Sequence, residues 1–139
     1  DRTDGSEIVS DAPMISDLTT EALQHGLDGV HARQRAIAAN LANIETPGYK
    51  AQNVQFEDQL AAAIQQQRTG GSSDNGPTLS TSPTHGFRDT PARGDGNTVD
   101  IETETMEMTK SSLHYRYLSR VLRKKLQMVR LAINGGGGQ

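Results

Sequence analysis

Of the 26 Leu, Ile, Val and Phe residues in this chain, 12 fall in 15–64 and 10 in 99–133, leaving two in 65–98 and two in the first 14. Apolar residues placed this way allow two folded arms and no core between them. Leu79 and Phe87 are all that 69–98 offers for burial; the rest of that segment is Gly, Ser, Thr, Pro, Asp and similar residues, which predicts a flexible loop or one ordered by partners. The total, about 19% of the chain, sits just under the roughly 20% at which disorder sets in, so order should be uneven. Absence of Cys excludes a disulfide framework and any Cys-based zinc or redox centre, and leaves four scattered His as soft-metal ligands. No apolar run approaches the length of a membrane span, and the start DRTDGSEIVSDAP carries no apolar signal core. Residues 1–13 are expected to be a disordered extension ahead of a start at Met14, and 135–139 (GGGGQ) a disordered tail.

The first arm, 14–68, opens with a long helix from about Asp17 to Glu45. Leu23, Leu27, Val30, Gln34, Ile37, Leu41 and Ile44 recur at alternating spacings of four and three, which is a heptad seam. The opposite side carries Gly29, Ala32, Ala36, Ala39 and Asn43, small enough for a second backbone to approach. Ser16 or Asp17 can cap the start, and Thr46-Pro47-Gly48 ends the helix, because the residue before Pro is pushed out of the α region. An extended stretch over Tyr49–Phe56 and a short helix over Glu57–Arg68 follow.

The second arm, 99–134, starts at Asp100, a good N-cap. Glu102, Glu104 and Glu107 occupy its first turns, and everything from Met108 onward carries seven cations and no acid, a polarity suited to a helix macrodipole. Met108, Tyr115, Leu118, Leu122, Leu126, Val129 and Ile133 form one apolar stripe; Met106, Leu113, Tyr117, Val121, Met128 and Leu131 form another on the far side. One partner helix cannot cover both. The two helices should run roughly 40 and 50 Å, longer than a compact domain of this size needs. The expected fold is mainly α: an antiparallel coiled-coil-like pair of terminal helices, with a short extended segment, a short helix and a flexible central loop. The surplus stripe implies further helices from other subunits.

Lys110, Arg116, Arg120, Arg123, Lys124, Lys125 and Arg130 suit phosphate neutralisation, so a basic helical nucleic-acid-binding module is an alternative. Against it, the Arg residues fill the solvated strip between two apolar stripes, the net charge is −3, and no stacking aromatics are interleaved. Glu102, Glu104, Glu107 and His114 offer acid–base or metal groups in principle. With no second His, phosphate loop or nucleophile motif beside them, they read as dipole partners on a solvated face, and His25 and His31 as boundary residues. No catalytic, cofactor or metal site is expected.

The most specific segment is Asn40-Leu41-Ala42-Asn43-Ile44-Glu45-Thr46-Pro47-Gly48-Tyr49. Two Asn near a helix end can bond exposed backbone groups, Thr-Pro-Gly fixes a sharp exit, and Tyr49 can fold back. Together with its continuation, AANLANIETPGYKAQNVQFEDQL (38–60) resembles the N-terminal signature of bacterial flagellar rod and hook proteins. The phrase GNTVDIETE (96–104) and the closing helix KSSLHYRYLSRVLRKKLQMVRLAI (110–133) are similar to the proximal-rod members of that family, so the likeness spans roughly 15–68 and 95–134.

The resemblance implies a structural, non-enzymatic subunit of the basal-body rod, carried out by the flagellar type III export apparatus without a cleaved signal peptide. Its N- and C-terminal helices would self-assemble into a helical tube that crosses the periplasm and transmits torque. Implied partners are further copies, other rod proteins, and the base (MS) ring protein and rod adaptor at the inner membrane; no nucleic acid, cofactor or small-molecule substrate is implied. Another small rod or rod-adaptor protein shares the first motif and is the nearest alternative. Carried over by position, the motif residues are Asn40, Asn43, Thr46, Pro47, Gly48 and Tyr49, with Gly96, Asn97, Val99 and Asp100 before the second helix. Expected helix and subunit packing positions are Leu23, Leu27, Val30, Ile37, Leu41, Ile44, Leu113, Tyr117, Leu118, Val121, Leu122, Leu126, Met128, Val129 and Ile133.

Overall fold

The computed structural model describes residues 11–70, 79 and 81–135. Helix α1 spans Asp11–Ala42, strand β1 Gln52–Gln55, helix α2 Glu57–Thr69, strand β2 Thr84–Phe87 and helix α3 Ile101–Gly135. The expected mainly helical architecture with long terminal helices is therefore present. At about 1.5 Å per residue, the 32 residues of α1 and 35 of α3 run roughly 48 and 52 Å.

The two long helices are antiparallel. The end of α1 is bonded to the approach to α3 through Asn97, while Gly26 in mid α1 faces Leu118 in mid α3. Val30 and Ile37, each 1% exposed, lie within half a turn of Gly26 around the helix and form the centre of the covered seam. The small side chains on the other face do admit a second element, and it comes from the same chain. Ala32 and Ala36 cluster with Val54 of β1, and the Phe56 ring lies so close over Gly29 that an added Cβ would stand 2.3 Å from it. Arg33 fastens this side: its Nε donates to the Val54 carbonyl at 3.0 Å, its guanidinium pairs with Glu57 at 2.7 Å, and it lies 4.9 Å from the Phe56 ring centre.

Three expectations need correction. Helix α1 begins at Asp11 rather than Asp17, so Ser16 and Asp17 lie inside it and cannot be its N-cap, and 11–13 belong to the helix rather than to an extension. At the other end regular helix stops at Ala42, three residues earlier than expected, because Asn43 to Gly48 form a run of turns. The segment 69–98 is not simply loop. β2 pairs antiparallel with β1 (Gln52 opposite Phe87, Val54 opposite His85), Leu79 is buried, and its N–H donates to Glu21 Oε1 at 2.6 Å. Phe87, by contrast, stays 74% exposed. The expectations for residues 1–10, 71–78, 80 and 136–139 fall outside the described residues.

Candidate functional site

The two sequence motifs meet at one end of the helix pair. Helix α1 runs out through Asn43, whose N–H reaches the carbonyls of Ala39 (3.2 Å) and Asn40 (3.1 Å) and whose Nδ2 donates to Ala39 O at 2.8 Å. Thr46 then bonds back to Asn43 through both its N–H (3.0 Å) and its hydroxyl (3.1 Å). Gly48 follows at φ +72°, where any side chain is strained, and its N–H donates to the Asp95 carbonyl at 2.9 Å. Gly96 packs beside it at φ +82°, a conformation that strains any side chain, and a Cβ there would stand in ordinary contact with the Gly48 Cα at 3.5 Å.

Two fully buried amides do the joining. Asn40 holds the backbone of Gln52 as a neighbouring strand would: Oδ1 accepts the Gln52 N–H at 2.7 Å while Nδ2 donates to the Gln52 carbonyl at 2.9 Å. The Tyr49 hydroxyl also reaches Asn40 Oδ1, at 3.4 Å, so Tyr49 does fold back over the helix end. Asn97 gathers the carbonyls of the turns that follow α1, with Nδ2 within hydrogen-bond distance of Asn43 O (3.0 Å), Ile44 O (3.1 Å) and Thr46 O (2.8 Å). Its Oδ1 accepts the Val99 N–H at 2.7 Å, just ahead of α3. One side chain thus closes the first long helix and sets the entry to the second.

Around this junction Thr98 N–H donates to Tyr49 O (3.0 Å), Thr98 Oγ1 accepts the Ala51 N–H (2.8 Å), and Val99 is buried. Asp100 is the expected N-cap of α3: its carboxylate accepts the Glu102 N–H (3.1 Å) and the Thr103 hydroxyl (2.8 Å), which hold its pKa below the ordinary value, the Thr103 bond contributing most. The Asn97 N–H, then Arg93, do the same for Asp95. At Glu57, partial burial pushes the pKa up, but the Arg33 hydrogen bond and nearby backbone N–H groups outweigh it and leave the pKa lowered.

Glu104 departs from expectation. It is not on a solvated face but fully buried, with Arg88 from the end of β2 at 3.6 Å and no hydrogen bond to either carboxylate oxygen among the described residues. The signal was present, since Glu104, Ser111 and Leu118 are spaced by seven, and Ser111 is buried as well. Asn40 and Asn97 both stand in the motifs, but the partners they clamp lie 12 and more than 50 positions away and are not visible locally.

Of the predicted packing positions, Leu23, Leu27, Leu41, Ile44, Leu118, Val121 and Leu122 are half-buried. The far stripe of α3 is uncovered except at Val121: Leu113 is 60% and Leu131 71% exposed, with Met106, Tyr117 and Met128 also open. Beyond Leu122 the near stripe is open too, at Leu126, Val129 and Ile133. Among the described residues there is no group of three or more His, Asp or Glu fit to hold a metal, and no helix long and apolar enough to cross a membrane.

The family described as Flagella basal body rod protein matches residues 23–50, which cover the α1 seam and the turn through Tyr49. Flagellar basal body rod protein FlgB of Salmonella typhimurium is 33% identical over 117 residues, spanning 75% of this chain and 84% of that protein. The FlgB of Bacillus subtilis is 29% identical over 122 residues (85% and 95%), and that of Aeromonas hydrophila 29% over 123 (81% and 89%). With a relative 33% identical over three quarters of its length, the chain belongs to the FlgB family of flagellar basal body rod proteins.

Proposed function

We propose that the chain is a structural subunit of the proximal rod, built into a helical tube by lateral packing of its two long helices against neighbouring subunits. The observation that carries this reading is the far stripe of α3, which the chain's own α1 leaves open along nearly the whole helix. Each exposed apolar area stabilises by about 25 cal/mol per Å² only when a neighbour covers it, so assembly and final ordering are coupled. Head-to-tail contacts of this kind extend a helix instead of closing a dimer. The junction supplies rigidity: with the end of α1 and the start of α3 bonded through one amide, the helix pair passes torque as a unit. The motif residues Asn40 to Tyr49 and Gly96 to Asp100 are then structural, shaping the subunit rather than touching a substrate. On this reading the partners are further copies, other rod proteins, the base-ring protein and rod adaptor, and the type III export apparatus, and the location is the periplasm-spanning rod.

The test is electron cryotomography of motors in cells lacking the gene, complemented with the native chain or with Leu113→Asp or Leu131→Asp. Loss of the gene should leave the base ring without a rod, and both variants should be exported yet fail to restore it. Normal rods in the deletion strain would sink the reading. Leu118→Asp and Leu122→Asp are weaker probes, because both side chains are partly covered within the subunit.

A further inference from the structure

Glu104 and Arg88 form a pair that the rod reading leaves unused. Glu104 lies in the first turn of α3, has no exposed surface, and shares its side of the helix with buried Ser111 and with Leu118, which packs against Gly26 of α1. Its carboxylate is therefore on the covered seam, the one buried acid among the described residues. The cation beside it is Arg88, whose Nη2 stands 3.6 Å from Oε1, close enough for an ion pair and too long for a hydrogen bond. Neither Glu104 oxygen nor Arg88 Nε has a hydrogen-bond partner among the described residues. Arg88 belongs to neither long helix. It directly follows β2, with its backbone N–H on the Ala51 carbonyl at 2.8 Å, and all four residues of β2 are exposed. A strand that buries none of its own side chains thus supplies the counter-charge for an acid enclosed in the helix pair. As a fastening this is poor. Desolvation of both charges opposes their attraction, so an apolar pair of like volume would hold as well or better, yet removal of one partner alone is strongly unfavourable because it strands the other charge.

We propose that Arg88 and Glu104 are a latch that couples the segment 84–93, a strap across the subunit, to the closure of α3 on α1. While the strap lies on β1, the Glu104 charge is matched and the seam closes over it. When the strap lifts, an unmatched carboxylate remains in the seam, and the first turns of α3 part from α1 to hydrate it. The neighbouring neutral bonds impose no such condition. Thr90 Oγ1 on the Thr98 carbonyl (2.7 Å) and Arg93 N–H on the Asn97 carbonyl (2.8 Å) exchange for water with little net change when they separate. The coupling is reciprocal: a partner that takes hold of the lifted strap loosens the start of α3, and one that spreads α3 from α1 frees the strap. It belongs to the single subunit and stands apart from the rod assignment.

The experiment is amide hydrogen exchange of the full chain, read by mass spectrometry on fragments covering 84–93 and 101–112. Arg88→Met leaves the Glu104 charge stranded and should speed exchange over 101–112 at least about tenfold. Adding Glu104→Met should return that segment to the native rate or below it. A third substitution lifts the strap by another route: Gly86 stands opposite Asn53, two residues along the ladder from the Arg88–Ala51 bond, so its N–H also faces β1 and Gly86→Pro breaks the pairing. In the native chain Gly86→Pro should speed exchange in the strap and over 101–112 together. In the chain with both methionines it should speed exchange in the strap alone. Native protection over 101–112 in Arg88→Met overturns the latch, as does failure of Glu104→Met to restore it, or a Gly86→Pro effect that reaches 101–112 equally in both backgrounds. If Arg88→Met unfolds the chain outright, refolding by the added Glu104→Met supports the latch and its absence overturns it.

Discussion

Replacing Asn97 tests the junction directly. The side chain has no exposed surface; its Oδ1 accepts from Val99 N–H, and the two hydrogens of its Nδ2 are shared among three carbonyls. Those carbonyls keep second partners: Thr46 N–H on Asn43 O, the Arg93 guanidinium on Ile44 O, and Tyr49 N–H on Thr46 O. Val99 N–H does not. Asn97→Ala therefore orphans one buried donor at about 1–3 kcal/mol and weakens the capping of α1, for a total loss of about 2–4 kcal/mol. Asn97→Asp keeps the Val99 bond but turns an acceptor toward three carbonyls. The introduced carboxylate, buried and facing negative ends of dipoles, has its folded pKa raised. Its penalty is thus fully developed at neutral pH and shrinks as pH falls below the folded value, where the protonated group can again donate. The assay is urea unfolding followed by helix circular dichroism, with native and variant chains compared at each pH. With a slope of about 1–3 kcal/mol per M, the alanine variant should lower the midpoint by about 1–2 M. A midpoint within about 0.3 M of native, or an aspartate variant whose deficit does not change with pH, would refute the account of Asn97 as the joint between the arms.

Gly29→Ala should cost about 1–3 kcal/mol in the same unfolding assay, because its Cβ would stand 2.3 Å from the Phe56 ring, and adding Phe56→Leu should recover part of that loss. Asp95, Asp100 and Glu57 all have lowered pKa values in the folded chain, so they contribute stability above their unfolded values of ~4 and lose it as pH falls through the folded ones. A thermal midpoint that declines with acid from about pH 4 downward checks this, and Asp100→Asn should flatten the decline. Leu113→Asp should leave thermal stability within about 0.5 kcal/mol of native while abolishing assembly, whereas Leu118→Asp should lower both; equal destabilisation by the two would mean that the far stripe is not free in the subunit.

What the sequence made legible was periodic. The heptad through Leu23 to Ile44 and the two stripes of α3 are repeated signals, each supported by several residues, and they located both long helices and left one stripe of α3 to spare. The missed pieces depend on single residues. Thr-His-Gly-Phe has no alternation to mark β2, and it becomes a strand because β1 is held beside it by Asn40, a contact no local window contains. Helix α1 continues back to Asp11 through Ala12-Pro13, where the capping residues Ser16 and Asp17 suggested a start. The charge of Glu104 points to solvent, whereas its place in the seven-residue spacing with Ser111 and Leu118 points to the covered face. Asn97 stands in the motif before the second helix, but only the fold brings it under the end of α1.

The joint at Asn97 and the paired glycines stands at one end of the two long helices, and the first turns of α1 and the last turns of α3 lie at the other. The subunit is thus a hairpin with an open mouth. Traction on the α1 side of that mouth loads the helix contacts one turn at a time, by peeling, and reaches the bonded joint last. Traction across the outer faces loads the whole seam at once in shear. The same contacts that yield to a small force at the mouth resist a large one across the outer faces, because the direction of pull decides how many of them share the load.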